Sequence, residues 1–286
     1  MNRRSYIRQR VAPRASASSG GCLRIGIALL MAAVAVISFL GSKQFNPVTG
    51  EDQYVSMTQD QEILMGLQAA PEMAAQFGGL DPNPEYQAVV GEIGSNLVRG
   101  SAAAPSGYPF EFHVLADQQT VNAFALPGGQ VFITRALVDR IETEGQLAAV
   151  LGHEIVHVLA RHSAEQIAQM QLTQGITGAV LIASYDPDNP SSQQIAQMAV
   201  LVGQMVNMKY GRDDELQADS LGVQIMGDAG YDPRSMIDVM QILAESSPAR
   251  LPEFFSTHPN PENRIVRIEE AIQLLYPEGV PAGLIP

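Results

Sequence analysis

The sequence predicts a mostly helical α+β fold, with a small β-sheet or hairpin set beside one central helix. Three observations predict it. Helical periodicity prevails from residue 58 to residue 275, whereas strand-like alternation is confined to residues 110–134. A long apolar stretch, 146–162 (QLAAVLGHEIVHVLARH), follows those strands directly. The 286 residues are 46% hydrophobic, which supplies a core and excludes a disordered chain.

Charge is unevenly spread. The formal net charge is −13, yet residues 1–24 hold six arginines (Arg3, Arg4, Arg8, Arg10, Arg14, Arg24) and no acid. The other 11 of the 17 basic residues therefore face all 30 acidic ones, and a body so acidic has no phosphate-binding surface for nucleic acid. Cys22 is the one cysteine, so an internal disulfide and a cysteine metal site are both excluded. It precedes the apolar run, unlike the lipid-modified cysteine of a bacterial lipoprotein.

Taken in order, residues 1–44 form a basic N-terminus with an uncharged apolar run at 25–40 (IGIALLMAAVAVISFL). Arginines before it place that end in the cytoplasm, so the acidic body is exported to a periplasmic or extracytoplasmic side. No A-x-A site follows, and two readings stand equal: a signal anchor held in the inner membrane through 25–40, or a signal peptide removed to release the body. Residues 45–276 make the main domain, and 277–286 a Pro/Gly-rich tail.

Within the domain, 45–50 reads as a turn-rich linker and 58–77 as a helix interrupted at Pro71. Residues 82–99 give an amphipathic helix with Tyr86, Val89, Val90, Ile93 and Leu97 on one side. Strands follow at 110–115, 121–126 and 130–134, the last two joined as a hairpin by Pro127-Gly128-Gly129. His113 falls on a solvated or half-buried face of the first. After the central helix, helical pattern continues to about residue 183, is broken at 186–190, and resumes at 191–208, 212–226, 233–245 and 261–275. Glutamines interrupt the apolar parts of 162–183 and 191–208, which favours core packing over membrane spanning.

In the central helix His153, Glu154 and His157 stand in the order H-E-x-x-H. Residues four apart share a helix face, so the two imidazoles lie side by side with Glu154 one position round. Two nitrogen ligands, an open position for water and a carboxylate to take its proton are what a catalytic zinc ion requires. A core helix whose histidines merely satisfy local hydrogen bonds is the competing reading. It has to bury two histidines and a glutamate without coordination, which is costly. Thr143 and Gln146 form a capping box for the start of this helix, and Glu144 suits its positive end.

A third protein ligand is needed. His162, five residues past His157, would point about 140° away on a continuous helix and is rejected. Glu215 and Asp219 are four apart in DDELQAD, so both carboxylates face one way. One can bind the metal while the other accepts the outer N–H of a ligating histidine.

HEIVH with Arg161-His162 behind it, ELQAD some sixty residues on, VNAFALPGGQVFIT before the helix, and Ser256-Thr257-His258-Pro259 followed by Arg264 resemble one family. It is the zinc endopeptidase family of HtpX, the CaaX prenyl endopeptidase and the mitochondrial Oma protease, of gluzincin type and zincin-like fold. The resemblance runs over residues 46–275 and lies nearest the stand-alone, exported bacterial members. It implies one zinc per chain held by His153, His157 and Glu215, Glu154 as general base, and Asp219 as support behind a ligand. It also implies unfolded or misfolded envelope proteins as substrates, in quality control.

Three expectations remain. Substrate is expected to add as a strand beside 121–126, with Asn122 and Ala123 near the scissile bond, since a protease for unfolded chains grips backbone. His258 is either a packed residue of a turn, a donor to the developing oxyanion, or a latch on the open zinc position. A zinc-binding, chaperone-like holdase without turnover is the alternative function, and the intact Glu154 argues against it.

Overall fold

The computed structural model describes residues 19–184, 210–245, 254, 258 and 263–286. Helix α1 (Ser19–Gly41) passes through Ser42 into β1 (Lys43–Asn46), which pairs antiparallel with β2 (Glu51–Tyr54). The linker expected at 45–50 is thus part of a hairpin. Asn46 makes it so. Its Oδ1 accepts from the Val48 and Thr49 amides and folds the turn, while its Nδ2 donates to Gln53 and, at 2.8 Å, to the Leu159 carbonyl. Gln53 donates to the Ala160 carbonyl. The hairpin therefore satisfies the last carbonyls of the central helix.

Helix α2 (Gln59–Gln76) starts at a complete Thr58–Gln61 capping box and runs through Pro71 instead of breaking there. Pro71 is exposed, so water can take the carbonyl bond its ring forgoes. Helix α3 (Pro84–Gly100) buries Val90, Ile93 and Leu97 as expected, but Val89 is 49% exposed and off that stripe. Strands β3 (Glu111–Leu115), β4 (Ala123–Ala125) and β5 (Gln130–Thr134) form one sheet in the order β3-β5-β4. β4 and β5 are the expected hairpin, with Ala123 opposite Ile133, and β3 runs parallel to β5. Gly128 and Gly129 hold φ of 86° and 107°, which the turn needs and side-chain-bearing residues resist. His113 is half-buried, 3.1 Å from Gln130 Oε1.

After the short α4 (Arg135–Val138) comes α5 (Glu144–Leu159), buried from Gly145 to its end. It packs among α3, β4, α7 (Arg212–Asp228) and α8 (Ser235–Glu245). Thr143 caps it through the Gln146 amide, but the Gln146 side chain reaches the Glu142 amide, one residue earlier than a capping box requires. The helix expected to continue through 162 stops at Leu159. Arg161 takes a left-handed φ of 58°, and α6 (His162–Ser184) begins next to it. Tertiary contacts impose the break: Arg161 donates to Glu62, Gln44 and the Met57 carbonyl.

α6 was expected in the core and packs instead along α1. The break expected at 186–190 and the helix at 191–208 lie outside the described residues. α9 (Arg264–Leu275) closes the fold. Residues 277–286 return to it, where Pro286 accepts from the Gly145 amide and Ile285 pairs with the strand-like bridge at Tyr231.

Candidate metal centre

α5 sets His153 and His157 one turn apart, and α7 crosses it closely at Gly222. A Cβ at Gly222 would stand 3.6 Å from the His153 amide nitrogen and 2.9 Å from Met236 Cε. The α7 backbone thus lies directly against the α5 backbone there, and the approach carries Glu215 and Asp219 onto the histidine face. His153 Nε2 lies 3.0 Å from His157 Nε2 and 3.4 Å from Glu215 Oε2, and His157 Nε2 lies 3.5 Å from Glu215 Oε1. His258 joins them, its Nδ1 2.9 Å from Glu215 Oε1 and 3.4 Å from His153 Nε2. Donors about 2.0–2.2 Å from a tetrahedral zinc stand roughly 3.3–3.6 Å from one another. The four residues, all buried and with donor atoms within 4.8 Å of one another, fit a metal ion of that size.

Each histidine is held from behind. His153 Nδ1 donates to Asp219 Oδ1 at 2.9 Å, and Arg264 grips both Asp219 oxygens, with Nε at 2.6 Å and Nη2 at 2.8 Å. That leaves His153 Nε2 free to offer a lone pair. For His157 the support is a relay. Gln217 Nε2 donates to Glu51, so Gln217 Oε1 faces His162 and accepts from its Nε2 at 2.9 Å. His162 Nδ1 is then bare and accepts from His157 Nδ1 at 2.8 Å. His157 Nε2 is left as the lone pair. His162 is therefore outside the donor set, as expected, but for a different reason: the turn at Arg161 folds it back behind His157. Tyr210 stacks on the His157 ring at 4.2 Å and shares a hydrogen bond with Ser163.

The electrostatics follow from burial against charge. Burial drives the His157 and His162 imidazoles below their ordinary range. It would do the same to His153, but the Asp219 and Glu215 carboxylates prevail and raise it to about 9. Burial also pushes Glu215 and Asp219 upward. The imidazoles around Glu215 outweigh it and hold that carboxyl well below the carboxylate range, and the Arg264 charge lowers Asp219 as well. Glu154 goes the other way: burial raises it, with His258 and His153 only partly opposing. Among the described residues, both Glu154 oxygens and Glu215 Oε2 are buried with no hydrogen-bond partner, as expected of groups set to meet a metal ion or water.

The model of peptidase family M48 matches residues 84–272. The chain belongs to that family. It is 31% identical over 238 residues to the beta-barrel assembly-enhancing protease of Yersinia pestis, covering 79% of this chain and 47% of the relative. It is 31% identical over 230 residues to the mitochondrial metalloendopeptidase OMA1 of Schizosaccharomyces pombe, covering 79% and 66%. The Escherichia coli beta-barrel assembly-enhancing protease is 29% identical over 258 residues, covering 84% and 50%. The chain thus spans about half to two thirds of the length of these M48 relatives.

Of the remaining expected residues in this M48 chain, His258 lies at the same centre, while Asn122 and Ala123 lie at the start of β4. His258 is fully buried, with Nε2 3.5 Å from Glu154 Oε1; Thr257 and Pro259 lie outside the described residues. Asn122 pairs inward with Thr134, so Ala123, opposite Ile133 in the next register, turns its own N–H and C=O to the outer edge of β4. That edge is covered: Asn122 and Ala123 are buried, and the Phe254 amide donates to the Val121 carbonyl. Phe254 stacks on His258 at 4.5 Å. The pattern did not disclose Arg264 as the clamp on Asp219, nor His162, Gln217 and Tyr210 behind His157. Arg264 is buried at the start of α9 and Gln217 half-buried on α7, and neither burial is legible without the fold.

Proposed function

We propose that this chain is a zinc-dependent endopeptidase, with His153, His157 and Glu215 holding one zinc and Glu154 acting as general base. What supports this most is the buried four-donor cluster with Glu154 beside it, a buried carboxylate that makes no hydrogen bond among the described residues. Zinc, when bound, supplies Lewis acidity that draws the pKa of a water in its open position towards about 7. Glu154, raised by burial, takes the proton of the attacking water and then passes it to the departing amine nitrogen. Asp219, clamped by Arg264, keeps His153 in its ligating tautomer, and the His162 relay does the same for His157.

Substrate adds as a strand at the outer edge of β4, where Ala123 offers backbone and no side-chain selectivity. The substrates proposed are misfolded or misassembled cell-envelope proteins. A helix long and apolar enough to cross a membrane precedes the domain, and relatives carry the name beta-barrel assembly-enhancing protease. His258 serves as a latch: its Nδ1 fills a corner of the donor set while Phe254 occupies the β4 edge, so both must leave before substrate enters. A holdase without turnover would have no use for Glu154.

Casein digestion by the purified protein tests the assignment. Wild type should cleave, lose activity to a chelator and regain it with zinc. Glu154→Gln should keep its metal and lose activity by about 10²–10⁴-fold. Proteolysis at wild-type rate by a clean Glu154→Gln preparation overturns it.

A further inference from the structure

We propose that α6 enters the lipid bilayer beside α1, so that the two helices form one embedded pair. Residues Leu23–Gly41 of α1 are a 19-residue stretch long and apolar enough to cross a membrane, and only 6% of it is buried within the protein. What covers it is α6. A Cβ at Gly175 would lie 2.5 Å from Ala35 Cβ, and one at Gly178 would lie 3.6 Å from Met31 Cε. Later α6 residues meet earlier α1 residues, so the helices run antiparallel. Small residues at the crossing, with Ala28 and Ala179 both buried, bring the backbones together as in helix pairs within lipid.

The depth follows from the rise. Ala35 precedes Gly41 by six residues, about 9 Å at 1.5 Å per residue. α6 continues from Gly175 to Ser184 for about another 14 Å. If α1 spans the hydrocarbon layer, about 30 Å thick, α6 accompanies it through most of that thickness.

α6 is less apolar than α1, which alone among the described helices is long and apolar enough to cross a membrane, but it is uncharged over most of its length. No charged residue occurs from 166 to 185. Thr173 turns its hydroxyl back onto the Gln169 carbonyl. Ile176 and Val180 are 40% and 42% exposed on the side away from α1, apolar surface that lipid would cover. The glutamines at 166, 169 and 171 lie lower, near the end of α1, where Gln171 accepts from Ser56 at 3.0 Å. A fourth, Gln174, is exposed beside the Gly175–Ala35 crossing, so its amide enters the paired stretch.

α1 is also built into the domain. Phe39 stacks on Tyr54 at 4.5 Å, and Asn46, five residues after Gly41, holds the Leu159 carbonyl at the end of α5. Removing α1 would strip α6 of the partner that Gly175 is shaped for. α1 is therefore a retained anchor, and the metal centre stands at a fixed height over the membrane, facing membrane-proximal chains.

The sequence contains no tryptophan, so a single introduced one reports its own surroundings. Full-length Val180→Trp, Leu30→Trp and Leu274→Trp proteins are reconstituted into phosphatidylcholine vesicles with brominated acyl chains. Val180→Trp should be blue-shifted and quenched to the same extent as Leu30→Trp in α1, while Leu274→Trp on α9 keeps its intensity. Quenching at Leu30→Trp without quenching at Val180→Trp overturns the proposal, and so does absence of quenching at both. N-terminal sequencing of the exported protein is the second measurement. A mature start beyond residue 41 overturns it as well. Neither readout depends on proteolysis.

Discussion

Replacing Arg264 with methionine tests whether the centre rests on a buried ion pair. The Arg264 side chain is buried, donates to both oxygens of Asp219 at 2.6 and 2.8 Å, and lies 3.4 Å from Glu215 Oε2. Methionine keeps most of the volume and removes the charge, leaving two buried carboxylates without their permanent cation. Breaking a buried pair from one side costs about 3–5 kcal/mol. In a domain of this size 1 kcal/mol moves the melting temperature by about 2–4 °C, so a fall of about 6–20 °C is expected in chelator-treated protein. Arg264→Lys should recover only part of it, because one ammonium cannot reproduce the two-pronged geometry. Thermal unfolding by circular dichroism reads the effect, and zinc titration should show weaker binding by roughly 10–100-fold as His153 loses its fixed tautomer. A melting temperature for Arg264→Met within about 2 °C of wild type would show that the pair contributes nothing and refute the reasoning.

Glu215→Ala should lose both metal and activity, whereas Asp219→Asn should keep the fold and bind zinc roughly 10–100-fold more weakly; near-stoichiometric zinc in Glu215→Ala by mass spectrometry would mean the third ligand is another residue. His258→Ala should raise basal casein cleavage, because the latch is gone. A drop in kcat would make His258 an oxyanion donor instead, and wild-type kinetics with only a lower melting temperature would remove both roles. Ala123→Pro deletes the outward N–H of β4 and should raise KM or abolish cleavage in a protein that still folds by circular dichroism; unchanged kinetics would exclude strand addition there.

Local pattern made part of this centre legible. H-E-x-x-H fixes two imidazoles and a carboxylate on neighbouring faces of one helix, and spacing of four puts Glu215 and Asp219 on one face of another. Spacing could not say which of the two carboxylates sits closer to the histidines. That depends on how α7 crosses α5 at Gly222, a contact between segments some seventy residues apart. Periodicity likewise showed that α6 has an apolar side but not what covers it. Three of the four α6 glutamines that suggested core packing, at 166, 169 and 171, lie outside α1's deeper half, and Gln174 lies at the crossing itself.

The break at Arg161 was the least legible feature and has the widest consequences. The apolar pattern from Gln146 to His162 reads as one continuous helix, and on such a helix His162 points away from His157. The left-handed Arg161 is imposed by Glu62 on α2, Gln44 on β1 and the Met57 carbonyl, all roughly a hundred residues earlier. It returns His162 to 2.8 Å from His157 Nδ1. The same β1–β2 hairpin caps α5 through Asn46 and Gln53 and starts, at Glu51, the relay that ends on His157. β1 in turn follows α1 after one residue. The tautomer of one proposed zinc ligand is therefore set by the segment that joins the domain to its apolar N-terminal helix. Disturbing that segment, for example by Asn46→Ala, acts on the metal centre without touching any donor atom.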